Sequence, residues 1–321
     1  MTPRPGDLTP GPGAPRVRVL NLDDGIDADG LRASGVEVVE HDLRGLGPRT
    51  RFLCGHGARR EFAKQLDTAH KQLPTLYGSG DFHHLTLSLL AQFHEPLTLI
   101  LFDQHPDWDI MSPWPCCGCW VNEALALPAV SRVVVLGAGR PDLHGWHLAR
   151  GNMGAVRSGE LEIYPYSWRT SLCPGRIEAD LACGTIRPEG LKSRVTWRTI
   201  RRHGLLPLVR DVISRLPERR IYLSIDKDVL APDFATTNWE PGEMQLDELL
   251  EAVTLLGTEC QILGSDLTGD FSPASIRSSW ISGLSRLNHP KQPPISVQKA
   301  SSHKNLITNA ALIHAILCSH G

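Results

Sequence analysis

The chain has 321 residues, 41% of them hydrophobic, which is enough apolar material for one large core or two small ones. Lys and Arg total 33 against 35 Asp and Glu, and the resulting formal charge of −2 gives no electrostatic footprint for nucleic acid or an anionic membrane. No apolar run approaches the roughly 20 residues needed to span a bilayer, and eight cysteines are too sparse for a disulfide scaffold, so reduced thiols and a cytoplasmic location are expected.

Residues 1–16 are rich in Pro and Gly without an apolar stretch; they read as a disordered tail and not as a signal peptide. Beyond them, Val17–Leu20 and Val36–Glu40 read as strands, Ala58–Leu73 as a helix, Thr75–Tyr77 as a short strand and Leu85–Phe93 as the start of a helix. The clearest strands are Leu97–Phe102, Val133–Leu136, Ile221–Ile225 and Gln261–Gly264, nearly continuous apolar runs of the kind covered on both faces. Helical patterns occupy Leu206–Leu216, Leu246–Leu256 and Lys304–Leu317, and Asn288–His303 reads as a surface loop. Alternating β and α elements predict an α/β fold with a mostly parallel sheet between helices, in one domain over residues 17–321. Ligands of such folds collect at the carboxyl ends of the strands.

The polar clusters fall at those ends. Asp103-Gln104-His105-Pro106-Asp107-Trp108-Asp109 follows the run Leu97–Phe102 directly. In an extended chain alternate residues share a side, which would bring Asp103, His105, Asp107 and Asp109 together. Carboxylates packed that closely repel one another unless a cation sits among them. An oxygen-rich set with one or two histidines suits Mn²⁺ and similar ions. An Asp-rich surface turn is the plainer alternative, disfavoured by the buried-type strand feeding the cluster. In Ser224-Ile225-Asp226-Lys227-Asp228, Asp226 and Asp228 share a face and Lys227 points away. Asp-x-Asp alone is a weak signal; two strand ends carrying alternating acids are a stronger one. Gly78-Ser79-Gly80-Asp81-Phe82-His83-His84-Leu85-Thr86 is a glycine-rich turn into a helix, either capped by Asp81 with solvated histidines or presenting a ligand.

Together these three motifs resemble the ureohydrolase superfamily of arginases, agmatinases and formiminoglutamases. The second and third match its Asp-x-His-x-Asp and Ser-x-Asp-x-Asp strand ends, while the first is an altered Gly-Gly-Asp-His turn. The resemblance implies a three-layer α/β/α arginase-like domain and two divalent cations, expected to be Mn²⁺. Carried over by position, Asp103 and Asp226 would bridge both ions. Asp107 would join them on one ion, and His105 with Asp228 on the other. His83 would be the remaining ligand, with His84 as the competing choice. A water between the cations would supply a hydroxide that attacks the trigonal carbon of a guanidine, amidine or amide, with Asp107 hydrogen-bonding the nucleophile. Such a protein would act on a small molecule and could form homo-oligomers.

Several departures bear on substrate. The arginase proton-shuttle histidine is replaced, by residue count, by Trp120, so leaving-group protonation falls to His144, His147 or water. No Glu follows the last core strand, and Asp270 is the nearest carboxylate for a cationic nitrogen. Trp120, Trp239 and Glu240 are expected to line the substrate pocket, with an ordinary surface loop the alternative for residues 236–243. Asp109, with Asp142 and Glu240 adding negative potential, would favour a cationic or neutral substrate tail over one ending in a carboxylate. Cys116, Cys117 and Cys119 are expected to pack or line the pocket, since no further paired cysteines complete a zinc set. A single-metal deacetylase-like amidohydrolase and a metal-binding pseudoenzyme are the alternatives. A metallophosphoesterase fits poorly, because its Gly-Asn-His motif is absent.

Overall fold

Val, Leu and Ile runs with little alternation become strands buried on both faces, and these order the molecule. The computed structural model describes residues 14–112, 114–289, 292 and 298–318. Its main strands are β1 (Arg16–Asn21), β2 (Glu37–Asp42), β3 (Thr75–Leu76), β4 (Leu97–Phe102), β5 (Val130–Gly137) and β6 (Leu161–Pro165). Next come β7 (Thr170–Pro174), β8 (Ala179–Leu181), β9 (Gly184–Glu189) and β10 (Lys192–Trp197), then β11 (Arg220–Asp226) and β12 (Gln261–Thr268). Eight strands form one sheet in the order β2-β1-β3-β12-β11-β4-β5-β6, and every neighbouring pair is parallel. β4 is buried at all six positions.

The flanking helices bury apolar stripes at helical spacing. Leu205–Ser214 turns Leu205, Leu208, Val209, Val212 and Ile213 inward. Leu246–Glu259 begins with a capping box between Gln245 and Glu248 and buries Leu249, Ala252, Val253 and Leu256. Each such side chain contributes about 1.5–3 kcal/mol of transfer free energy. The last helix, Gln298–Cys318, packs on Leu246–Glu259 and buries Leu312, Ile313 and Ile316. Among the described residues no helix is long and apolar enough to cross a membrane.

The structure departs from the sequence reading in several places. β1 already includes Arg16, inside the expected tail, while residues 1–13 lie outside the described residues. The helix expected over Ala58–Leu73 is His56–Gln65; beyond it the Asp67 carboxylate accepts the His70 backbone N–H. β12 continues past Gly264 to Thr268, because Ser265, Asp266 and Thr268 are buried. The final helix begins at Gln298, inside the expected loop, part of which lies outside the described residues. The reading also missed β6 and an antiparallel four-stranded sheet, β7-β10-β9-β8.

Candidate metal centre

β4 and β11 are neighbours, with Phe102 paired to Ile225, so the residues following them emerge side by side. This places Asp103 beside Asp226. The segment after β3 turns at Gly78 (φ +91°) into a short 3-10 helix, Gly80–Leu85, which carries His83. Gly80 permits the approach, since a Cβ there would lie 2.5 Å from Asp226 Oδ2.

His83 Nδ1 lies 3.1 Å from Asp103 Oδ2, 3.4 Å from Asp107 Oδ2 and 3.6 Å from Asp226 Oδ2. On the other flank, His105 Nδ1 is 2.9 Å from Asp228 Oδ2 and 3.8 Å from Asp103 Oδ1. Two groupings of potential ligand atoms result, His83–Asp103–Asp107 and Asp103–His105–Asp228, and they share Asp103. Asp107 has a backbone φ of +47°, a conformation costing about 1–3 kcal/mol for a non-glycine residue. The surrounding structure therefore holds its carboxylate in place against local preference.

The donor set calls for positive charge. Burial and the carboxylates of Asp228 and Asp107 push Asp103 far above the usual range, and burial with Asp228 pushes Asp226 up to about 7. Burial opposes charge on His83 and His105, yet Asp103 and Asp228 outweigh it and raise both imidazoles. His83 Nδ1 and Asp103 Oδ2 are both buried and, though 3.1 Å apart, are not aligned to hydrogen-bond each other or any other described group. With its proton on Nε2, His83 donates to Ser224 Oγ (2.9 Å), which donates to Asp266 Oδ1 (2.7 Å), leaving the Nδ1 lone pair toward the acids. These residues fit a divalent-cation pair. His84 joins neither grouping: both its ring nitrogens are unpartnered, and burial pushes it down to about 3.

Asp103, His105, Asp107, Asp226 and Asp228 face a cavity of about 770 Å³. Trp239, Glu240, Asp142 and Asp109 also line it, and Glu240 comes within 3.7 Å of His105 Nε2. Four sequence expectations need correction. Asp270 is not in the cavity: its carboxylate binds Lys227 Nζ at 2.7 Å and accepts from Asn309 at 3.1 Å, all buried. Trp120 is fully buried; its indole N–H donates to Asp107 Oδ2 at 2.6 Å and its ring packs on His83 at 4.8 Å, so it holds the Asp107 carboxylate and does not line the cavity. His144 lies in an adjoining shallow pocket against Trp168, while His147 is on the cavity wall. Asp109 is neutralised by an ion pair with Arg150 and accepts the Met111 N–H.

The sequence reading missed the support beneath the centre. Asp266 is buried, accepting hydrogen bonds from Tyr222, Tyr77 and Ser224. Arg51, also buried, donates to Asp81 (2.7 Å), Asp23 (3.2 Å) and Ser272 (2.9 Å). The residue after it, Phe52, lines the cavity.

Residues 187–278, which include the Asp226–Asp228 strand end, match the Arginase family. The fold over nearly the whole chain is shared with solved structures. These include a hypothetical agmatinase from Burkholderia thailandensis, at TM-score 0.56 and 17% identity over 96% of this chain and 85% of that one. The chain thus shares the arginase-like fold, with the Arginase family itself matched over residues 187–278. Other solved structures of similar fold are an arginase from Bacillus subtilis (TM-score 0.57, 14% identity, 94% of this chain and 98% of that one) and a formimidoylglutamase from the same species (0.53, 14%, 94% and 86%). An uncharacterized protein of Thermotoga maritima is 26% identical over 199 residues, 62% of this chain; the match spans 58% of that relative's length. His83, Asp103, His105 and Asp107 fall outside the family-matched segment, so the case for them rests on geometry.

Proposed function

We propose that the chain is a hydrolase of C–N bonds other than peptide bonds, acting on a small guanidine, amidine or amide. In this reading His83, Asp103, His105, Asp107, Asp226 and Asp228 hold two divalent cations, with Mn²⁺ the expected ion. The observation that carries it is the pair of ligand groupings sharing Asp103 on the floor of an open cavity. When bound, two such cations acidify a water and polarise the carbon it attacks. The chain's own residues supply the rest. Asp107, its carboxylate fixed by Trp120, is placed to accept a hydrogen bond from the attacking water. His147, on the cavity wall, is the candidate to protonate the leaving nitrogen.

Asp142 and Glu240 lie on the His105 side of the cavity, and burial raises Asp142 while His105 draws it back. They favour a cationic or neutral tail on the substrate, a preference that no longer rests on Asp109. A carboxylate tail is the second reading, favoured by Arg150, which lines the same cavity beside its partner Asp109. Specificity constants for matched amine and amino-acid substrates decide between them.

The test of the activity is elemental analysis followed by a urea- and ammonia-release screen over guanidino, amidino and amide compounds. Two ions per chain with turnover support the proposal. One ion points to the deacetylase-like alternative, and ions without turnover on any compound to a pseudoenzyme. A sharper probe is Trp120→Phe, which keeps the ring against His83 but removes the donor to Asp107. Metal affinity and turnover should each fall roughly 10- to 100-fold with the fold intact. An unchanged metal titration would show that the indole N–H does not support the centre.

A further inference from the structure

Cys116, Cys117 and Gly118 line the cavity and the buried Cys119 follows them, with two of the segment's thiols already in contact. The Sγ atoms of Cys116 and Cys119 lie 2.9 Å apart, and the Cys116 backbone N–H points at Cys119 Sγ at 3.1 Å. A disulfide needs about 2.05 Å, so closure requires less than about 1 Å of movement. The backbone around the pair is pinned: Cys54 N–H bonds Pro115 O, Cys117 N–H bonds Phe52 O, and Asp109 N–H bonds Gly118 O.

The other cysteines are poorly placed to compete. Burial pushes Cys54, Cys183 and Cys260 up to about 11, and Cys117 higher still. Cys318 is exposed but stands on the last helix without a second thiol beside it. Cys116 is partly exposed and lines the cavity, and hydrogen bonding to Cys119 and Ser112 holds its thiol below the ordinary value; the same contact raises Cys119, so Cys116 attacks first and Cys119 resolves.

We propose that Cys116 and Cys119 form a reversible intramolecular disulfide beside the cavity, with a low-molecular-weight disulfide such as oxidised glutathione as the oxidant. The Cys116 thiolate attacks one sulfur of the oxidant, forming a mixed disulfide and releasing one glutathione thiolate. The Cys119 thiolate then attacks the Cys116 sulfur, forming the internal bond and releasing the second. The cysteine pair loses two electrons and two protons; the two glutathione molecules receive the electrons and are protonated. Cys119 caps the helix Trp120–Leu125, so the bond would lock the residue preceding the indole that holds Asp107.

The test uses the full chain, equilibrated across ratios of oxidised to reduced glutathione, quenched with an alkylating agent and digested for mass spectrometry. In oxidised samples the peptide containing residues 116–119 should lose two hydrogens and escape alkylation at Cys116 and Cys119, with reversal by dithiothreitol. Cys117→Ser should behave like wild type. Cys119→Ser should stop at a glutathione adduct on Cys116, and if that variant fails to fold, wild type and Cys117→Ser still decide the matter. A wild-type Cys116 alkylated at every ratio, or a bond that includes Cys117, overturns the proposal. Neither outcome depends on the hydrolase reading, because no turnover is measured.

Discussion

Replacing Asp226 with asparagine is expected to lower the metal content below two ions per chain and to cut turnover by roughly 10³-fold, the equivalent of about 4 kcal/mol of lost charge stabilisation. The carboxylate lies 3.6 Å from His83 Nδ1, accepts the Asp228 N–H at 3.0 Å, and is closely flanked by Gly80 and Gly269. Asparagine keeps the shape and the acceptor but removes the charge. The metal-free protein should not lose stability with it. Burial and Asp228 push Asp226 from the ordinary 3.8 up to about 7, so the folded chain holds a proton that the unfolded chain releases. Metal-free wild type therefore loses stability as pH rises through that window, and the asparagine variant should lose less. Thermal melts of both proteins after chelation, at pH 5 and pH 8, read this directly. A variant that retained two ions would remove Asp226 from the ligand set.

The second large effect concerns stability alone. Arg51→Met should lower the melting temperature by on the order of 10 °C, because breaking a buried ion pair costs about 3–5 kcal/mol. Arg51 has no solvent exposure at its side chain and lies between Asp23 and Asp81. Burial alone would raise Asp81, but His289 and Arg51 more than offset it and hold it below 3.8. The sign follows: that contribution is complete above 3.8 and fades as pH falls below it. Arg51→Met should therefore flatten the acid side of the stability profile as well as lower it. A melting temperature within 2 °C of wild type, on the order of 1 kcal/mol or less, would mean that the two acids find other partners.

What the sequence allowed to be read depended on whether the information was local. Leu97–Phe102 and Ile221–Ile225 announce buried parallel strands by composition, and the acids after them are adjacent because the strands pair. The β10 strand does alternate, with Ser193, Val195 and Trp197 inward, but an inward serine and flanking charges mask the pattern. Trp120 could be placed by residue count, yet nothing in the sequence says that its indole N–H grips Asp107. Asp270 appeared to belong to the pocket because it follows β12 closely; its capture by Lys227 required knowing that Lys227 turns inward. Arg51 was invisible for a similar reason. Its partners at residues 23, 81 and 272 meet only in the fold, and a lone arginine reads as surface.

The Lys227–Asp270 pair has a consequence for the C-terminus. Asp270 is held in turn by Asn309, while Asn305 exchanges two hydrogen bonds with the backbone of Thr236 and Thr308 donates to Phe234 O. The segment between Asp228 and Glu240, which carries Trp239 to the cavity, is thus suspended from the helix Gln298–Cys318. Truncation before Gln298, or a fusion that unseats this helix, would leave all six proposed ligands in the chain. It would also uncover the lysine between Asp226 and Asp228 and release one wall of the pocket, so damage at one end of the polypeptide would register as a defect in its centre.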